Sequence, residues 1–320
     1  MSSTEHLSSK IPHEMAGMRL DQALAELFSD YSRARLQQWI RNGLVTVDAQ
    51  QLRAKDKVLG GERVDVMATL EDEVSSQPQR IPLEILYEDE TLLVINKPAG
   101  LVVHPAAGNP DGTMLNALLH HAPELVSVPR AGIVHRLDKE TSGLLVVART
   151  LKAQAHLVQQ LQERAFEREY EAVAVGVMLS GGSVDAPIGR HPVDRKRMAV
   201  SQRGRPAVTH YRVAERFRAH THVRVQLETG RTHQIRVHMA HIRYPLFGDP
   251  VYGGRLRIPP KSSEQFTEAL RNFRRQALHA VRLGLTHPES GKVMQWQAPL
   301  PADMEYLLHV LREDNTIHEQ

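Results

Sequence analysis

From residue 81 onward the chain keeps returning to apolar runs of strand length, closed off by polar turns. That rhythm limits the fold more than any other feature of the sequence. Runs at residues 92–95, 144–148, 171–177, 207–213, 223–227, 279–285 and 293–297 read as strands. Helical spacing marks residues 113–121, 153–163, 233–241, 264–273 and 302–312. Several adjacent strands are joined by turns too short to hold a crossover helix. An α+β domain is therefore expected, a mostly antiparallel mixed sheet flanked by helices rather than a doubly wound parallel one.

The N-terminal part follows another pattern. Leu20, Ala23, Leu24, Leu27 and Phe28 recur at helical spacing. Ser32 is a candidate N-cap for a second helix, with Leu36, Trp39 and Ile40 on one side and Arg33, Arg35 and Arg41 on the other; Gly43 is a natural stop. Strand-like runs at 44–47 and 63–66 follow, with basic Arg53, Lys55 and Lys57 between them. For 320 residues about two domains are expected. Residues 1–15 read as a flexible tail, 16–70 as a small module, 71–80 (EDEVSSQPQR) as a polar linker and 81–320 as the larger domain.

The chain has no cysteine, which excludes disulfides, thiolate metal sites and cysteine nucleophiles. No apolar run has the length of a signal peptide core or a membrane span, so no membrane association and a cytoplasmic location are expected. The net charge of +3 hides an asymmetry: residues 190–282 hold 20 Lys/Arg against 6 Asp/Glu. A block of one sign on this scale suits a polyanionic partner, although it also reads as a solvated Arg-rich surface.

Three stretches carry groups suited to chemistry. In residues 132–147, GIVHRLDKETSGLLVV, a polar cluster lies between two apolar runs, where buried strands can hold a functional loop. Asp138 has Arg136 two positions before it and Lys139 just after, and such cations favour the ionised form. On the residues alone, an Asp among Arg and Lys is more often one half of a surface ion pair. In residues 228–241, ETGRTHQIRVHMAH, Thr232 is a candidate N-cap, and Arg231, His233, Gln234 and Arg236 gather near the helix start. That place suits a phosphate or a side-chain carboxylate. No metal site is expected there: His233 and His238 are five apart, on diverging faces, and no acidic residue lies between Glu228 and Asp249. In EREYEAVAV (167–175), Tyr170 begins a strand, where a Tyr is more often a core or edge residue than a catalytic one.

Taken in order, INKPAGLVVHP (95–105), HRLDKETSGLL (135–145), REYEA (168–172), ETGRTHQIRVH (228–238) and GDPVYGG (248–254) resemble the RluA-type family of pseudouridine synthases. RLDQAL, SRARLQQWI, NGLVTV and KVLGGERVDV resemble the S-four-like RNA-binding domain. The similarity covers about residues 17–313 and is closest to the D-type large-subunit synthases, whose targets are uridines in the helix 69 loop of 23S ribosomal RNA.

This resemblance implies isomerisation of uridine with Asp138 as nucleophile, attacking sugar or base or taking a sugar proton. Tyr170 is implied to pack on the uracil and to help remove the proton from carbon 5. Arg236 is implied to pair with Asp138, and Arg136 to fill the gap left by the displaced nucleoside. His135, Arg231, His233, Gln234, Arg33, Arg35, Arg41 and Lys55 are the further RNA-binding candidates. No cofactor or metal is implied, the partner is 23S ribosomal RNA or a pre-ribosomal large-subunit particle, and a monomer is expected. A non-catalytic RNA-binding assembly factor and a metal-dependent hydrolase are the competing readings.

Overall fold

The computed structural model describes residues 3–28, 33–70, 77–106, 108–194 and 197–319. The chain divides into two units, Met1–Ser75 and Ser76–Gln320.

In the first unit β1 (Ser3–Lys10), α1 (Leu20–Leu27), α2 (Arg33–Arg41), β2 (Val45–Val47) and β3 (Arg63–Leu70) follow one another. The strands form an antiparallel sheet in the order β1-β3-β2. Leu20 and Leu24 on α1, and Leu36, Trp39 and Ile40 on α2, recur one turn apart and bury one face of each helix against Val45, Val64 and Val66. The Ser32 cap position lies outside the described residues. The expected tail is not a tail: β1 pairs with β3 from Ser3↔Leu70 to Lys10↔Arg63. An edge strand needs few apolar side chains, and here Leu7 and the fully buried Ile11 suffice to pin it.

The second unit contains β4 (Glu84–Glu88), β5 (Leu92–Lys97), α3 (Met114–His121), β6 (Ser142–Ala148), α4 (Leu151–Gln162) and β7 (Glu167–Val175). After them come β8 (Gly182–Asp185), β9 (Ile188–Arg190), β10 (Met198–Val200), β11 (Val208–Arg216), β12 (His220–Leu227) and α5 (Gln234–His241). α6 (Glu264–Asn272), β13 (Leu278–Thr286), β14 (Val293–Gln297) and α7 (Ala302–Glu319) complete it. Residues 71–76 of the expected linker lie outside the described residues. Residues 77–80 join this unit: Asn116 Nδ2 donates to the Gln77 carbonyl (2.9 Å), and the Gln79 N–H to the Asn116 carbonyl (3.0 Å).

One nine-stranded sheet runs β4-β5-β6-β13-β7-β12-β11-β8, with β14 on β13. β6 and β13 are parallel and every other pairing is antiparallel, which matches the expected mixed, mostly antiparallel sheet. Alternation along the strands sends Leu93, Ile95, Leu145, Val147, Tyr170, Ala172, Val223 and Val225 to one face, packed with Met114 and Leu118 of α3 and Ile235 and Met239 of α5. Leu92, Val94, Leu144, Val146, Leu283 and Leu285 take the other face, against Ala153 and Leu157 of α4. Both faces are covered, which is why the central strands read as continuous apolar runs. Among the described residues no helix is long and apolar enough to cross a membrane.

Candidate active site

Across the sheet, Lys97, Gly143, Ala280, Tyr170 and Val225 are successive register partners. Residues opposite one another share a face, so this row sets Tyr170 on the side where α5 packs. Gly143 is required in the row. Its φ is +112°, and a Cβ there would lie 2.3 Å from the Ala280 carbonyl oxygen.

The loop before β6 carries Asp138 and is held from several sides. Leu137 is buried in the core, and the Thr141 N–H donates to the Asp138 carbonyl (3.0 Å). The fully buried Lys97 ammonium donates to the carbonyls of Pro98 (2.8 Å), Leu101 (3.0 Å) and Lys139 (3.0 Å). Burial pulls the Lys97 ammonium down to about 8, opposed by Glu140 and Asp138. His135 Nε2 accepts the Val146 N–H (3.1 Å), and its ring meets Phe166 edge-on. Burial, with Arg168 nearby, lowers His135 to about 3, so it is a neutral strut under the loop.

Asp138, although 98 positions away in sequence, meets Arg236: Arg236 Nη1 donates to Asp138 Oδ2 at 3.0 Å. The Arg236 side chain is only 5% exposed and that of Asp138 16%. Asp249 completes the arrangement. Its Oδ2 accepts from Arg236 Nε (2.7 Å) and its Oδ1 from Nη2 (2.9 Å), a bidentate pair that fixes the guanidinium plane. Asp249 Oδ1 also accepts the N–H groups of Val251 (2.8 Å) and Tyr252 (3.0 Å). Burial pushes the Asp249 carboxyl up, but the Arg236 bonds and these two N–H groups more than offset it and hold it below its usual range. Burial alone would weaken the Arg236 charge; Asp249 and Asp138 raise its pKa instead.

His233 lies on the other side of Asp138, with Nε2 3.9 Å from Oδ1. It, not Thr232, is the N-cap residue of α5. Its φ of 57° is left-handed and it makes no side-chain cap bond. Gln234 Oε1 takes the Arg231 N–H (2.9 Å) and the Thr229 hydroxyl (2.8 Å), while Nε2 donates to the Val208 carbonyl and Thr209 Oγ1. The Gln234 amide is thus spent on protein partners and offers nothing to a ligand; it acts as a clasp under the turn. His238 is committed likewise, to Thr209 Oγ1 and the Ala186 carbonyl, each at 2.9 Å.

Tyr170, 6% exposed, lies in the electrostatic reach of Asp138 and Arg168. Burial raises its phenol above the usual value, Arg168 opposing and Asp138 adding to the shift, so it is a neutral phenol at neutral pH. Arg136 is exposed. Arg231 is half-buried, with Nε on the Pro206 carbonyl (3.0 Å), and burial followed by Arg205 and Arg164 disfavours its charge. In the first unit Arg41 and Lys55 are exposed, whereas Arg33 and Arg35 start α2 with side chains outside the described set.

The structure therefore gathers Asp138, Tyr170, Arg236 and His233 and leaves Gln234 as support. Asp249 and Tyr252 were not picked out from the sequence. Their signal is the GDPVYGG turn, where Gly248 at φ +71° sits with its Cβ position 2.2 Å from the Arg275 carbonyl oxygen. A turn that demands glycine so close to backbone holds its polar residues in one place.

A family profile described as RNA pseudouridylate synthase matches residues 91–241, and one described as S4 domain matches residues 18–64. The chain is 58% identical over 320 residues to ribosomal large subunit pseudouridine synthase D of Escherichia coli K12, spanning 100% of this chain and 98% of the relative. It is 59% identical over 314 residues to the Pseudomonas aeruginosa PAO1 protein of the same name, spanning 98% of each. Among solved structures, human RNA pseudouridylate synthase domain containing 4 superposes with a TM-score of 0.56 at 30% identity, over 72% of this chain and 93% of that one. With an S4 domain followed by this catalytic fold, the chain belongs to the RNA pseudouridylate synthase family.

Proposed function

We propose that the enzyme isomerises uridine to pseudouridine in large-subunit (23S) ribosomal RNA, in the helix 69 stem-loop, with Asp138 as the nucleophile. The single observation carrying this reading is the Asp138–Arg236 contact, 3.0 Å long, on the face that holds Tyr170. Two relatives of nearly equal length are named ribosomal large subunit pseudouridine synthase D, and the basic block at residues 190–282 suits a polyanion such as that subunit's RNA.

Isomerisation breaks the bond from uracil N1 to the sugar, turns the base and forms a bond from carbon 5 to the same sugar carbon. Carbon 5 loses a proton and N1 regains one, so the balance closes without a co-reactant. Arg236 holds Oδ2 of Asp138 and leaves Oδ1 to act, whether on the sugar, on the base or on a sugar proton. The target leaves its stack at a cost of a few kcal/mol, least in a loop, and Arg136 occupies the vacancy. Tyr170 packs on the uracil. As a neutral phenol it is a poor base, which favours packing over removal of the carbon 5 proton. The enzyme acts as a monomer in the cytoplasm.

Mapping pseudouridine in ribosomal RNA from cells lacking this protein tests the substrate. The expected result is loss of the helix 69 marks with the other marks retained. Intact helix 69 marks would overturn it.

A further inference from the structure

Tyr252 touches both the catalytic pair and a hairpin for which the reaction scheme has no use. The hairpin is β9 with β10, paired Met198↔Arg190 to Val200↔Ile188. Met198 and Val200 pack with Tyr252 onto the cluster that contains Val237 of α5. The Met198 N–H donates to the Tyr252 hydroxyl (2.9 Å). Arg197, one residue earlier, lies over the Tyr252 ring at 5.3 Å. Its Nε is buried without a hydrogen-bond partner, and it makes no ion pair among the described residues.

Toward the catalytic pair, the same hydroxyl stands 2.9 Å from His233 Nδ1, and the same ring carries the Arg236 guanidinium at 5.0 Å. An amide N–H can only donate, so the hydroxyl accepts from Met198 and keeps its own proton and a second lone pair for Nδ1. The imidazole thus spans Tyr252 and the catalytic carboxylate, with Nδ1 on the hydroxyl and Nε2 3.9 Å from Asp138 Oδ1. Arg236 is balanced by Asp249 and Asp138. Among the described residues Arg197 has no carboxylate to balance it, and a guanidinium laid against an aromatic ring without one suits a phosphodiester.

We infer that Tyr252 is a positioning residue for the isomerisation, holding His233 and Arg236 against Asp138 and tying that geometry to Arg197, which takes an RNA phosphate. The inference rests on the RNA-isomerase reading above.

The test uses the full-length enzyme and a helix 69 transcript, with wild type, Tyr252→Phe, Arg197→Ala and the double variant compared for kcat, KM and RNA Kd. Loss of one hydrogen bond predicts a kcat about tenfold lower in Tyr252→Phe, with KM and Kd unchanged. Arg197→Ala should raise KM and also lower kcat, and its effect on kcat should vanish in the Tyr252→Phe background. Wild-type kcat in Tyr252→Phe, or kcat losses that simply multiply, would overturn the inference. Should Tyr252→Phe fail to fold by circular dichroism, Arg197→Ala decides alone: a raised KM with kcat untouched overturns it. A wild-type enzyme inert both on the transcript and on large-subunit particles from cells lacking it would remove the underlying reading and the inference with it.

Discussion

His135 and Asp138 sit three positions apart and do opposite things with charge. Asp138 faces Arg236, while His135 turns inward, accepts the Val146 N–H and is held neutral by burial. A histidine lowered from 6.5 to about 3 makes folding sensitive to acid. Above 6.5 neither folded nor unfolded chain protonates it; between 6.5 and 3 only the unfolded chain does, so stability falls as pH falls through that window. Replacing it by Asn removes this proton uptake. Urea unfolding at a series of pH values should show a flatter decline from pH 6.5 to 3 in His135→Asn than in wild type; an unchanged slope would contradict the assignment. The charge of the loop was legible in HRLDKETSG, but the partition of roles within it was not, because which side chain turns inward is set by β6 and Phe166 and not by neighbours in sequence.

At the scale of elements, the strands that were easy to read are the central ones. β5, β6 and β13 are covered on both faces and spell mostly apolar runs, while β7 and β12 keep apolar residues at alternate positions and still read as strands. β4 alternates as an edge strand, and β9 and β10 are three residues each, too short for a period to show. β1 was hidden by its polar composition. The start of α5 was misplaced by one residue because Gln234, not a Thr232 cap, satisfies the turn. Contacts such as Arg236 with Asp138 and Asp249 have no local signal at all, since they join distant segments. The parallel pairing of β6 with β13 is what aligns the Asp138 loop with Tyr170, and Gly143 permits it. Gly143→Ala places a Cβ against the Ala280 backbone at an unfavourable φ, and should destabilise the second unit by about 3 kcal/mol or more. Chemical denaturation checks this, and near-wild-type stability would contradict the register argument.

For the whole molecule, two separate cores divide the work. The first unit packs its own apolar cluster and exposes Arg41 and Lys55, and the second carries the Asp138–Arg236 pair and the whole basic block. RNA affinity on this account arises from many dispersed cations, whereas chemistry depends on one carboxylate oxygen. Binding and turnover are therefore separable by a single isosteric change. The most direct measurement is single-turnover conversion of a helix 69 transcript by Asp138→Asn, with RNA Kd determined on the same preparation. The account predicts wild-type Kd and no detectable pseudouridine. Conversion at the wild-type rate, or loss of binding equal to the loss of product, would contradict it.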